Sequence, residues 1–149
     1  MPKASVKRLI ECNKMQLIDL VLDIESYPLF IPYCLNSKVY EKNEKEDLIS
    51  IIADLTIGKG PFKATYKSDV KYYKSTDIIH VTNIEGPLKH LDNKWTFLEK
   101  NDFTEISFDI NFEIENKFLN IVMSKSFQYG LDKIADSFQE RAKDLFKRK

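Results

Sequence analysis

Residues 105–145, "EISFDINFEIENKFLNIVMSKSFQYGLDKIADSFQERAKDL", change periodicity partway along. Up to Ile114, the residues Ile106, Phe108, Ile110, Phe112 and Ile114 alternate with Glu105, Ser107, Asp109, Asn111 and Glu113. A period of two is that of a strand with one dry face and one wet face. From about Asn116 to Lys147 the apolar positions Phe127, Leu131, Ile134, Phe138, Ala142 and Leu145 recur every three or four residues. That spacing predicts a single long amphipathic helix, on the order of 45 Å at 1.5 Å per residue. Gly130 is its weak point. A one-sided strand followed directly by a long one-sided helix lets each bury the apolar side of the other.

The same alternation fills the middle of the chain. Ile49, Ile51, Ala53, Leu55 and Ile57 share one face. Across the turn "GKGP", Phe62, Ala64, Tyr66, Val70 and Tyr72 oppose Lys63, Thr65, Lys67, Asp69 and Lys71. Shorter strands are expected near residues 37–42, 77–84 and 91–99. Clean alternation with short turns predicts an antiparallel sheet.

The beginning is mixed. Residues 4–12 read as a short strand with Ala4, Val6, Ile10 and Cys12 on one face and Arg8 interrupting it. Asn13 followed by Gln16, with Cys12 and Leu17 able to pack across the start, is a helix N-terminus signature. The helix "KMQLIDLVLDI", with Leu17, Val21 and Ile24 on one side, should stop near Ser26, because Pro28 disfavours a helical Tyr27. Then comes "YPLFIPYC", residues 27–34, which is uncharged and holds two prolines. Connections are usually polar, so this one needs a reason. Pro28 and Pro32 fix φ and reduce the entropy lost on ordering. The segment can then hold Tyr27, Phe30, Ile31 and Tyr33 at a sheet edge without a helix or strand to support them, either as a rigid lip over a cavity or as a permanent lid on the core.

These elements make an α+β fold: a curved antiparallel sheet of about seven strands with its dry face on a long C-terminal helix. Its 149 residues suit one domain spanning 1–149. A chain of this size buries roughly 70% of the surface that its unfolded form exposes, so it needs no staples. Lys plus Arg equals Asp plus Glu, giving a net charge of zero. That argues against a dedicated nucleic-acid binder, and no DNA partner is expected. Cys12 and Cys34 are too few for a disulfide framework and fit a reducing compartment. No apolar run approaches the roughly 20 residues of a membrane span. The opening "MPKASVKRLIEC" lacks an apolar signal core, so neither export nor organelle import is expected.

Signals of catalysis and metal binding are absent from the sequence. His80 and His90 are the two histidines, one in a strand and one beside Gly86-Pro87, with no paired spacing for a metal or a nucleophile. "GKGP" lacks the ending and the following helix of a phosphate-binding loop. No catalysis, no metal and no required cofactor are therefore expected. The apolar inventory points to binding instead. Leu55, Ile57, Phe62, Tyr66, Trp95, Phe97, Phe108, Ile110, Phe112, Phe127, Leu131 and Phe138 are candidate cavity residues, and such a set fills a core as readily as it lines a pocket. A lysine row, Lys59, Lys63, Lys67, Lys71 and Lys74, is a solvated strand face or a contact for RNA or anionic lipid, with Lys63, Lys67 and Lys71 its centre.

Three segments carry a resemblance: "YPLFIPYC" at 27–34, "EGPLKHLDNKWTF" at 85–97 and "FQERA" at 138–142. Together, in order and over nearly the whole chain, they resemble the coenzyme Q-binding branch of the START-like superfamily, also labelled polyketide cyclase/dehydrase and lipid transport. Bacterial members of the same branch are described as ribosome-association toxins. Tyr33 stands where tryptophan is more usual, keeping an aromatic body with a polar tip. Leu88 stands where phenylalanine is common. The resemblance implies a helix-grip fold and a bound ubiquinone or related polyprenyl lipid, supporting quinone delivery to respiration. Tyr27, Pro28, Phe30, Ile31, Pro32 and Tyr33 would then form the lip. It further implies a bacterial cytoplasmic protein, peripheral at the inner membrane and touching it transiently. The alternative implied partner is the large ribosomal subunit, with subunit joining blocked. A polyketide cyclase needs polar groups converging inside the cavity, and the inward registers read as mostly apolar, which places that activity last.

Overall fold

The alternating segments form seven strands. In the computed structural model the described backbone comprises residues 3–31, 34–59, 62–85, 88–114 and 117–146, and side chains are described there except at 3–4, 59, 62, 64, 85, 88–90, 112–114 and 117–130. The strands are β1 (Lys3–Ile10), β2 (Cys34–Glu44), β3 (Leu48–Lys59), β4 (Phe62–Tyr73), β5 (Ile78–Glu85), β6 (Leu88–Lys100) and β7 (Phe103–Ile114). They make one sheet in the order β1-β7-β6-β5-β4-β3-β2, antiparallel throughout. Strands β2 to β7 follow as a meander, and β1 adds beside β7. The chain therefore leaves one edge of the sheet and re-enters at the other, through α1 (Lys14–Leu22) and a 3-10 helix (Ile24–Leu29). Helix α2 (Lys117–Leu145) closes the chain.

Register shifts interrupt β2 at Cys34/Asn36 and Val39/Glu41, the β4–β5 pair at Lys67/Ser68 and the β6–β7 pair at Leu88/His90. Such irregularities bend a strand and raise its twist, which suits a curved sheet. The concave face carries the core. Ile51, Val70, Tyr72, Ile79, Trp95, Phe97, Ile106 and Phe108 are buried there against Leu17, Ile18, Leu20 and Val21 of α1 and Leu131, Phe138 and Ala142 of α2.

The N-terminus of α1 forms as its sequence requires. The Asn13 side chain accepts from the Gln16 backbone N–H at 2.8 Å, and the Gln16 side chain accepts from the Asn13 N–H at 3.2 Å. Opposite, Thr104 is fully buried and its hydroxyl donates to the Cys12 carbonyl at 2.9 Å. Lys14 and Tyr72 both reach Asp77, at 2.8 and 2.7 Å, joining α1 to the β4–β5 turn.

Several local expectations need correction. Helix α1 ends at Leu22, not near Ser26, and Tyr27 and Pro28 belong to the 3-10 helix, so the segment does have a helix to support it. A short 3-10 turn tolerates Pro28 because few of its donors have partners to lose. Arg8 does not interrupt β1: its guanidinium reaches the Asp136 carboxylate at 3.0 Å and the Asp132 carbonyl at 3.3 Å, tying the edge strand to α2. Leu145 is half exposed, and Phe146 packs on the core in its place. Gly130 lies outside the residues with described side chains.

Candidate functional site on the concave face

Two covers lie over the sheet. The 3-10 helix sits against β2, while the backbone of α2 runs beside β1 and β7. They meet through aromatic rings: Tyr27 and Phe30 contact Phe138 edge-on at 5.7 and 5.2 Å, and Phe138 contacts Trp95 at 5.2 Å. Trp95 in turn lies 4.1 Å from Phe108. Such edge-to-face and tilted arrangements are those that aromatic quadrupoles favour. Tyr27 also donates its hydroxyl to the Val21 carbonyl, which fixes the 3-10 helix to the end of α1.

Strand direction puts Cys34, Lys59, Phe62, Glu85, Leu88 and Ile114 at one end of the sheet. At the far end the concave face is closed core. A void of about 10 Å³ is left among Val6, Ile10, Trp95, Ile106, Phe108, Ile134, Ala135 and Phe138, room for roughly one water and none for an isoprene unit. Trp95, Phe97, Phe108, Leu131 and Phe138, all candidates for a cavity wall, are buried here, with Trp95 against both Phe108 and Phe138. Nearer the Cys34 end several described side chains of the same face are less fully buried. Leu55, Tyr66 and Ile110 are half-buried, and Ile57 is 38% exposed, on the rim and not the wall. Pro32 and Tyr33 lie outside the described residues, as do the side chains of Phe62, Phe112, Phe127 and His90. Of the lip residues, Tyr27, Pro28, Phe30 and Ile31 are half-buried, and Leu29 beside them is 73% exposed. Leu29 and Phe30 border an open groove of about 310 Å³ along Asp136, Glu140, Arg141 and Asp144 of α2.

The half-buried end is more polar than the sequence suggested. Ser37, Ser68, Asn83 and Asn93 share the concave registers with Leu55, Ala53, Val81 and Ile110. The sign was present in the sequence: Ser68 sits between Tyr66 and Val70, and Asn93 between Leu91 and Trp95, each a polar residue at an apolar beat. Burial pushes the Tyr66 hydroxyl up to about 12, with Cys34 nearby adding to the shift. Burial likewise raises Tyr27 and the thiols of Cys12 and Cys34, both of which are free cysteines. At neutral pH these groups are therefore neutral hydrogen-bonding groups.

The outer face is charged and mutually compensated. Lys63 is exposed, Lys71 lies 3.6 Å from Asp69, and Lys67 lies over the Tyr40 ring at 4.9 Å. Lys38 approaches the same ring at 4.8 Å, and the Tyr40 hydroxyl donates to Asp54 at 2.5 Å. His80 pairs with Asp92 at 2.7 Å, both of them partly exposed. Among the described residues no cluster of His, Cys, Asp or Glu could hold a metal ion, and no helix is long and apolar enough to cross a membrane.

Comparison with known proteins agrees with this architecture. Residues 14–139 match the family described as polyketide cyclase / dehydrase and lipid transport. The ribosome association toxin RatA of Rickettsia prowazekii is 30% identical over 144 residues, covering 94% of this chain and 95% of that protein. The mitochondrial coenzyme Q-binding protein COQ10 of Dictyostelium discoideum is 28% identical over 134 residues, covering 88% of this chain and 64% of that protein. In fold, a START superfamily protein from Mycobacterium smegmatis superposes with a TM-score of 0.82, covering 97% of this chain and 99% of that one at 15% identity. The chain therefore belongs to the polyketide cyclase/dehydrase and lipid transport family, and its relatives include proteins named RatA and COQ10.

Proposed function

We infer that the chain binds ubiquinone or a related polyprenyl lipid on the concave face and supports its delivery to the respiratory chain, without catalysing a reaction on it. The observation that carries this reading is the division of that face: closed core at one end, half-buried and partly polar surface between the two covers at the other. The relative named for coenzyme Q binding supports it. Burying apolar carbon is worth about 0.8 kcal/mol per methylene, so two or three isoprene units contribute several kcal/mol relative to water. A bilayer offers the tail much the same. Tight capture against the membrane would need head-group contacts, whereas a carrier needs only near-balance, working in the cytoplasm beside the inner membrane with Tyr27, Pro28, Phe30 and Ile31 as its lip. The test is expression in a quinone-making host, solvent extraction of the purified protein and mass spectrometry of the extract. Near-stoichiometric quinone is the expected result, and protein free of lipid would contradict the reading.

A second reading, association with the large ribosomal subunit, is favoured by the 30% identity to RatA and by Tyr40 held between Lys38 and Lys67 on the outer face. Contacts of lysine with RNA phosphates weaken steeply with salt. Charge reversal at Lys63, Lys67 and Lys71 together is expected to abolish ribosome co-sedimentation at low salt. Sedimentation that persists would leave the row as solvated surface.

A further inference from the structure

We propose that Ser68, Asn83 and Asn93 form a hydrogen-bonding plate that selects a neutral, oxygenated ring as the ligand's head group, with Ser37 and Tyr66 on its outer side. This rests on reading the concave face as the ligand site. Ser68 is 3% exposed, and its hydroxyl has no hydrogen-bond partner among the described residues. It stands directly opposite Asn83 across β4 and β5. Asn83 is oriented by the Leu91 backbone N–H, which donates to its side-chain oxygen at 2.9 Å. Val81, two positions along β5, faces Asn93 of β6, so Asn93 lies diagonal to Asn83. Facing residues are about 5 Å apart and diagonal ones roughly 7–8 Å, a span that one ring can bridge. The buried oxygens of Asn93 and Ser37 are likewise without partners among the described residues.

Buried polar atoms in native proteins are nearly always paired, because leaving them unpaired is unfavourable. Three on one face of one sheet, set among Leu55, Val81 and Ile110, match the pattern of an apolar pocket with a few placed polar groups. Their chemistry restricts the ligand. A serine hydroxyl donates or accepts and a carboxamide does both, so ring carbonyls and hydroxyls both suit them. The described side chains around the plate, Ser37, Leu55, Tyr66, Val81 and Ile110, carry no charge at neutral pH. A carboxylate or phosphate head would be buried there without a counter-charge, which is strongly unfavourable. Fatty acids and phospholipids are thereby disfavoured against quinones and phenols.

Three probes test this by calorimetric titration: a decyl-substituted benzoquinone, decanoate with the same tail length, and a tail-less hydroxyanthraquinone. The wild-type protein is expected to bind a ring probe at least about tenfold tighter than decanoate. Ser68→Ala and Asn93→Leu should each weaken ring binding by about tenfold, the size of one lost hydrogen bond, and leave decanoate unchanged. Both variants should also raise the melting temperature of the ligand-free protein, since each removes an unpaired buried group. Preference for the tailed benzoquinone identifies a membrane quinone as the source, and preference for the anthraquinone a fused-ring metabolite; either supports the plate. Equal affinity for ring and carboxylate probes, unaltered ring affinity in both variants, or lowered melting temperatures in both would overturn it. A wild-type protein that binds none of the three would overturn the ligand reading together with the plate.

Discussion

Asp77 is a position where charge, backbone and packing coincide. Its φ of 54° is left-handed, a region that Asp and Asn tolerate better than most residues. Burial alone would raise its carboxyl. The hydrogen bonds from Lys14 and Tyr72 and the Lys14 charge outweigh that and hold it below its usual 3.8. A carboxyl lowered by folding contributes stability above its unfolded value, and this is lost as pH falls through the lower folded value. Asp77→Asn keeps the backbone preference and removes the charge. Chemical denaturation as a function of pH should show the variant less stable than wild type at pH 7, the two curves converging as pH falls below about 4. Parallel curves would mean that the charge is without consequence. This cluster has no local sequence signal, because Lys14, Tyr72 and Asp77 are brought together by the packing of α1 against the sheet.

At the scale of elements, the concave core depends on where α2, the 3-10 helix and β6 meet. Phe138 touches Tyr27, Phe30 and Trp95 and is 2% exposed. Phe138→Ala should cost about 3–5 kcal/mol, read as a lowered urea midpoint with an unchanged slope. A loss below about 1 kcal/mol would show that the covers are held elsewhere. The helical face bearing Phe138 was legible, as was the capping box at Asn13, since both are local periodic or spacing signals. The 3-10 helix was not. A proline two residues from an apparent helix end reads as a stop, whereas the tight turn that follows is held by the Tyr27 ring on Phe138 and the Tyr27 hydroxyl on the Val21 carbonyl.

For the whole molecule, the period change near residue 115 carried the architecture: an alternating sheet and one long helix can bury their apolar faces together in few ways. The candidate site was less legible. Large aromatics announce a core, yet Trp95, Phe97 and Phe108 turn out to be packing, and the half-buried end is marked by small polar residues. Ser68 in one strand reads as noise in an apolar register. It becomes a feature when Asn83 and Asn93 stand beside it, and that depends on strand register and on the shift at Lys67/Ser68, which the sequence does not reveal.

Trp95 is the single tryptophan of the chain, and it shares the concave register of β6 with Asn93, two residues away. Its fluorescence reports directly on that face. Titrating the protein with a short-tailed ubiquinone should quench Trp95 saturably, with an end point of one ligand per chain. Quenching that rises linearly without saturation, matching that of free tryptophan amide in the same buffer, would contradict ligand binding on the concave face.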